Sequence, residues 1–414
     1  MLTRREFLRR GLILVTASAA APAFLVKAAA HAQVPSADPR SRSRNVLVVV
    51  QLSGGNDGLN TVIPYRDPLY RELRPRLAVP EAEALPLDAE LALHPALGPL
   101  KERFDAGQLA IVAGVGYPNP DRSHFRAMDI WQTAEPEAYA ETGWLGRYLA
   151  GCACGGGEQA AALSLTPTLP RALWTESVFV PSLTSLAAYR FQSDPRYPAD
   201  RAARLRALQA LDATTEALRP YAQFLGQQSL NALASAEAVQ RVAGSWQTPI
   251  EYPENNPLAV ALKAVGQLIG GDYGLRVAYV QLGGFDTHAN QQATHQRLLE
   301  QLGGALDAFQ RDLEAMGKAD QVVTMTFSEF GRRVRENGSG GTDHGTAEPL
   351  FILGTRVRGG LYGRQPPLDD LDSGDLRFQV DFRAVYATLL DRWLGSDPVA
   401  VLGRSYAPLD FVGA

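Results

Sequence analysis

Residues 45–57 read NVLVVVQLSGGND: an apolar run from Val46 to Val50 that does not alternate, then two glycines, an asparagine and an aspartate. A continuous β-branched run predicts a strand buried on both faces, the pattern of a parallel sheet covered by helices. The glycines let the chain turn sharply, so Asp57 stands just beyond the carboxyl end of that strand. Open parallel sheets bind their ligands at such ends. From this stretch alone, Asp57 reads first as a turn residue, with a carboxylate presented to a metal as the alternative.

Working outward, similar apolar runs alternate with helical periods. LAIVAGVG (109–116), LRVAYVQL (275–282), DQVVTMTF (320–327) and PLFILG (349–354) read as strands. HPALGPLKERFDAG (94–107), RSHFRAMDIWQTA (122–134), the amphipathic stretch 291–317 and FRAVYATLLDRWLG (382–395) read as helices. This order predicts the α/β class, with a mainly parallel sheet flanked by helices. Residues 45–414 are expected to form one domain. An Ala/Leu/Gln-rich segment at 198–246, split by Pro220, reads as a helical insertion.

The first residues have a different character. TRREFLRR precedes the apolar GLILVTASAAAPAFLV, and AHA closes the stretch at 30–32. This predicts a twin-arginine export signal over 1–32, cleaved near Gln33, followed by a polar linker over 33–44 and a periplasmic or otherwise exported location. Pro22 and the small polar residues argue against a stable membrane span. Loss of 1–32 removes five positive charges and one negative, taking the net charge from −4 to −8. An acidic chain with scattered arginines excludes a nucleic-acid surface. Cys152 and Cys154, the two cysteines, are expected as free thiols in a glycine-rich loop, because a bridge across one residue departs from normal disulfide geometry.

Three acidic clusters follow glycines near strand ends: Asp57, Asp286 with His288 in GGFDTH, and Asp343 with His344 in GSGGTDHG. Carboxylates brought together in a low dielectric repel, and a cation resolves the conflict. Aspartate with histidine suits zinc or manganese ahead of calcium or magnesium. His94 and His295 lack acidic companions and are expected at the surface or in the core. Glu329, Arg332 and Arg333 in SEFGRR read first as a solvated helix start, the alternative being residues that hold the loop or an anion; Asn56 and Asn60 read as organisers of the turn, with Asn56 also able to donate to an oxyanion.

The motifs SGGNDGLN, RSHF, GGFDTHANQ, TFSEFGRRVRENGSGGTDHGT and DFRAVYATLLDRWLG, spread over 45–412, resemble the bacterial family called domain of unknown function 1501. That family is similar in turn to the alkaline phosphatase and sulfatase superfamily. The resemblance implies an alkaline-phosphatase-like fold, with Asp57, Asp343 and His344 as one metal site and Ser123 as the nucleophile. It implies that Asp286 and His288 serve a second metal, or that His288 acts as general acid. Two departures stand out: Phe378, Gln379 and Val380 occupy the place of a later superfamily histidine, and Asp286 and His288 lie closer in sequence than the usual pair. Taken without the family, Ser123 reads as a helix N-cap. His124 is a poor base for it, since adjacent helical residues point about 100° apart. The implied function is an exported metal-dependent hydrolase of small phosphate or sulfate esters. The alternative is a non-catalytic exported module that binds or assembles with another exported protein.

Overall fold

The computed structural model describes residues 44–152, 154, 160–190, 203, 206 and 219–413. The expected export signal, the linker up to residue 43 and most of the segment 191–218 lie outside the described residues. The chain divides into two compact units, Met1–Val34 with Gln192–Asn231, and Pro35–Phe191 with Ala232–Ala414. The sheet and every candidate site residue belong to the second. Of the expected insertion, the helix Arg219–Val242 is described.

The central sheet has eight strands: β1 (Val46–Ser53), β2 (Leu109–Gly116), β3 (Ala162–Leu165), β4 (Val277–Gly283), β5 (Val322–Ser328), β6 (Glu348–Leu353), β7 (Gly360–Gly363) and β8 (Val380–Asp381). Their order is β7-β2-β6-β5-β1-β4-β3, with β8 also on β2. β1 lies at the heart of this arrangement, parallel to both β4 and β5. β6 alone is antiparallel to its neighbours, β2 and β5.

Successive β1 residues point to opposite faces, and both faces are covered. Val46, Val48, Val50 and Leu52 join one apolar cluster with the helices Gly98–Asp105, Pro257–Gly270 and Gln291–Ala315. Leu47 and Val49 join the other, with Trp131, Trp144 and Tyr386 from the helices His124–Thr133, Trp144–Gly151 and Phe382–Thr388. Each such buried aliphatic side chain contributes roughly 1.5–3 kcal/mol. The expected sheet class therefore holds, and the unbroken apolar run at 46–50 reflects burial on two sides. Among the described residues no helix is long and apolar enough to cross a membrane.

Three local expectations are corrected. SEFGRR starts no helix: Ser328 ends β5, and Glu329 and Arg332 are buried at the rim of the sheet, held by partners from other loops. Cys152 and Cys154 are joined in a disulfide, their Cα atoms 5.1 Å apart and so within ordinary bridging distance. Asp57 is fully buried, with Arg74 Nη1 2.7 Å from its Oδ2. Arg74 also donates to Asn60 Oδ1 and to the carbonyls of Arg333 and Val334, and Gln291 donates to Asp57. The cation expected beside Asp57 is thus supplied by the chain itself.

Beside this pair lie His94 and His295, both buried, their rings 6.1 Å apart. His295 Nε2 contacts Asn56 Oδ1 at 3.0 Å. Burial pushes both imidazoles down to about 4, against the attraction of Asp57. Histidines depressed on folding contribute stability that is complete above their unfolded value near 6.5 and is lost as pH falls toward 4. Thermal melting should therefore decline from pH 6.5 downward, with a combined loss on the order of a few kcal/mol. His295→Gln, which keeps a donor for Asn56, should flatten that slope when melting temperature is recorded against pH.

Candidate metal centre

The parallel sense of β1, β4 and β5 brings their carboxyl ends to one rim of the sheet. β6 runs the other way, so the residues that precede it, Asp343 to Ala347, arrive at the same rim. β2 also ends there and leads through Tyr117 and Arg122 into the helix His124–Thr133. Two glycines let the loops close on one another. Gly54 has φ of +121°, and a Cβ there would strike the Asp286 amide nitrogen; a Cβ on Gly341 would strike the main chain of His288.

Arg332 ties these loops together. Its buried guanidinium donates to the carbonyls of Gly55 (2.7 Å), Thr342 (2.8 Å), Phe285 (2.9 Å) and Gly54, and to Asp286 Oδ1 (2.7 Å). Burial raises the Asp286 pKa, but the Arg332 hydrogen bond and charge outweigh it and, with His344 and His288, hold this carboxyl below its ordinary value.

Three imidazoles surround Asp286. His288 Nε2 and His344 Nε2 lie 3.1 and 3.2 Å from Oδ1 and 3.0 Å from each other. His124 Nε2 lies 3.6 Å from Oδ2. His124, Asp286 and His344 each offer a ligand atom within 4.8 Å of one another, and His288 closes the group from the solvent side.

The far nitrogen of every ring is held by an oxygen. His344 Nδ1 meets the Arg122 carbonyl at 2.8 Å, His124 Nδ1 meets Glu329 Oε1 at 2.8 Å, and His288 Nδ1 meets Asp343 Oδ1 at 3.2 Å. A carbonyl only accepts, so His344 Nδ1 carries the hydrogen. Asp343, held below its usual range first by the Asn337 amide, is likewise an acceptor. Glu329 also accepts from the Gly54 amide and from the Ser328 hydroxyl. Glu348, whose pKa burial pushes well above its ordinary value, accepts from the Ser328 amide.

A ring whose outer Nδ1 donates to its oxygen partner turns the Nε2 lone pair toward Asp286. Burial lowers the His344 pKa, against the pull of the Arg122 carbonyl and Asp286. Two lone pairs 3.0 Å apart beside a carboxylate require a cation between them, either a proton or a metal ion. The residues fit a metal: donor atoms around zinc with bonds of about 2.0–2.1 Å stand roughly 3.3 Å apart, and Nδ1-anchored histidines with carboxylate partners are the usual supporting arrangement. Phe330 closes one side, its ring 5.0 Å from that of His124 and 4.6 Å from that of His344.

The expected site residues are therefore parted. Asp286, His288 and His344 come together. Asp343 stands one step back as the orienting partner of His288, and Asp57 is sealed with Arg74. Ser123 is exposed at the N-cap of the helix His124–Thr133, and its hydroxyl makes no capping bond. His124, Glu329 and Arg332 were missed as site residues. A count of histidines carried some signal, since three of the five that follow residue 32 meet here.

Residues 110–405 match the family described as "Protein of unknown function (DUF1501)". The chain belongs to that family. No curated protein matches this DUF1501 chain in sequence. Among solved structures it is similar to a protein in the alkaline phosphatase superfamily from Vibrio parahaemolyticus, at 10% identity over 93% of this chain and 78% of that one, with a TM-score of 0.41. It is similar also to the PsFucS1 sulfatase from Pseudoalteromonas sp. (10% identity, 91% of this chain and 72% of that one, TM-score 0.35). A third is the lipoteichoic acid synthase LtaP from Listeria monocytogenes (8% identity, 83% and 72%, TM-score 0.32).

Glu329→Gln keeps the shape beside His124 and removes the charge that orients it. In metal titrations followed by calorimetry, this change should weaken zinc or manganese binding by about 10–100-fold, the usual cost of losing such a support.

Proposed function

We propose that this DUF1501 chain is an exported metal-dependent hydrolase of phosphate or sulfate esters. The observation that supports it is the convergence of three imidazoles, each with its outer nitrogen anchored, on one half-exposed carboxylate. His124, Asp286, His288 and His344 would hold a divalent ion; three nitrogens and one oxygen suit zinc or manganese better than calcium or magnesium. Such an ion supplies Lewis acidity toward an ester oxygen. Of the two roles expected for His288, ligand and general acid, the 3.1 Å approach of its Nε2 to Asp286 supports the ligand. Ser123, immediately before His124 and at the positive end of a ten-residue helix, is the candidate nucleophile.

A second reading, a non-catalytic exported module that binds or assembles with another protein, draws support from Asp57. The aspartate that the superfamily resemblance assigns to a metal is neutralised by Arg74 instead.

Elemental analysis of protein recovered from the periplasm is expected to find about one zinc or manganese per chain, lost in His124→Ala and His344→Ala. With aryl phosphate and aryl sulfate as substrates, Ser123→Ala should lower turnover by about 100-fold or more while metal content stays unchanged. Metal-free native protein would remove the hydrolase reading, and unchanged turnover in Ser123→Ala would remove the serine.

A further inference from the structure

A cavity of about 430 Å³ opens beside the candidate centre. The two share a wall. Phe330, which lies against the His124 and His344 rings, lines the cavity, and Arg122 belongs to both: its carbonyl holds His344 while its guanidinium pairs with Asp375 Oδ2. Asp375 has no exposed side-chain surface. Its Oδ1 accepts no hydrogen bond, and Arg333 Nε stands 3.7 Å from it. A buried carboxylate oxygen without a donor is costly, and a ligand hydroxyl satisfies it.

The remaining lining is of two kinds. Phe330, Phe378 and Tyr117 offer apolar ring surface, while Asn119, Asp372 and Arg377 offer planar polar groups. Carboxylates and guanidinium groups in one cavity suit groups that both donate and accept, as hydroxyls do, and aromatic surface suits the C–H faces of a saturated ring.

We propose that this cavity binds a hydroxylated ring, the sugar portion of a sugar phosphate or sulfate whose ester reaches the neighbouring centre. The ester half rests on the hydrolase reading; the ring half stands on the cavity alone. Asp375 takes a ring hydroxyl on Oδ1, and Arg377 takes another at the outer edge.

Calorimetry on the full-length metal-loaded protein tests this with the 6-phosphates of glucose, galactose and mannose against phenyl phosphate and inorganic phosphate. At least one hexose phosphate should bind about tenfold or more tighter than phenyl phosphate and inorganic phosphate, since a site built to hydrogen-bond a hydroxyl rejects a ligand that lacks it. Asp375→Asn should remove that preference and leave inorganic phosphate binding unchanged. Arg377→Ala, an exposed position with no part in the core, should weaken the preference without disturbing folding. Phenyl phosphate binding as tightly as every hexose phosphate would overturn the proposal, as would a preference that survives both substitutions. Hexose phosphate binding that depends on Asp375, in a protein that turns over no ester, would uphold the cavity and remove the hydrolase; aryl ester turnover with no sugar preference would do the reverse.

Discussion

A single buried guanidinium organises the rim of this sheet. Arg332 reaches four main-chain carbonyls from three loops and the carboxylate of Asp286, using Nε and both terminal nitrogens. Taking such a charge out of water costs several kcal/mol unless its hydrogens are satisfied. Here all of the observed partners are oxygens of the segments that must meet. A lysine has the charge but lacks the planar fork that spans separate acceptors. The position of Asp286, and so of everything that faces it, follows from this one side chain.

Two aspartates show how differently a carboxylate can be treated on one scaffold. Asp57 is sealed: Arg74 and Gln291 attend it, and no side-chain surface remains open. Asp286 has Arg332 at its back and nearly half of its surface open, with three Nε2 atoms before it. The first arrangement holds a turn in place. The second leaves a carboxylate open beside three imidazoles. The orientation of the imidazoles comes from Glu329, Asp343 and the Arg122 carbonyl, none of which faces the centre itself. Arg122 also carries this order outward, since the same residue forms one wall of the neighbouring cavity and pairs with Asp375 there.

Much of this was legible in the chain. The run at 46–50 announces a strand covered on both faces, and the glycine–aspartate–histidine clusters at 283–288 and 338–345 announce loops that present ligands. Other features were not. Asp57 looks like Asp286 in its local setting, a strand end preceded by glycines, and only the neighbour differs: Arg74 for one, three histidines for the other. No local spacing announces His124 as a site residue, because its partner Glu329 lies 205 residues further on. Arg332 sits in a charged stretch that reads as solvated, and its burial depends on carbonyls from loops that periodicity cannot bring together.

The sequence by itself determined the sheet class, its double-sided burial and three of the converging donors, Asp286, His288 and His344, because apolar periodicity and residue chemistry are local properties of the chain. Only the tertiary structure decided which donors meet. The direction of β6 places His344 on the same rim as Asp286, yet a strand buried on both faces reads alike in either direction. Which carboxylate receives an arginine and which receives imidazoles is settled by packing between segments far apart in the chain, where electrostatic pairing depends on distances of a few ångströms.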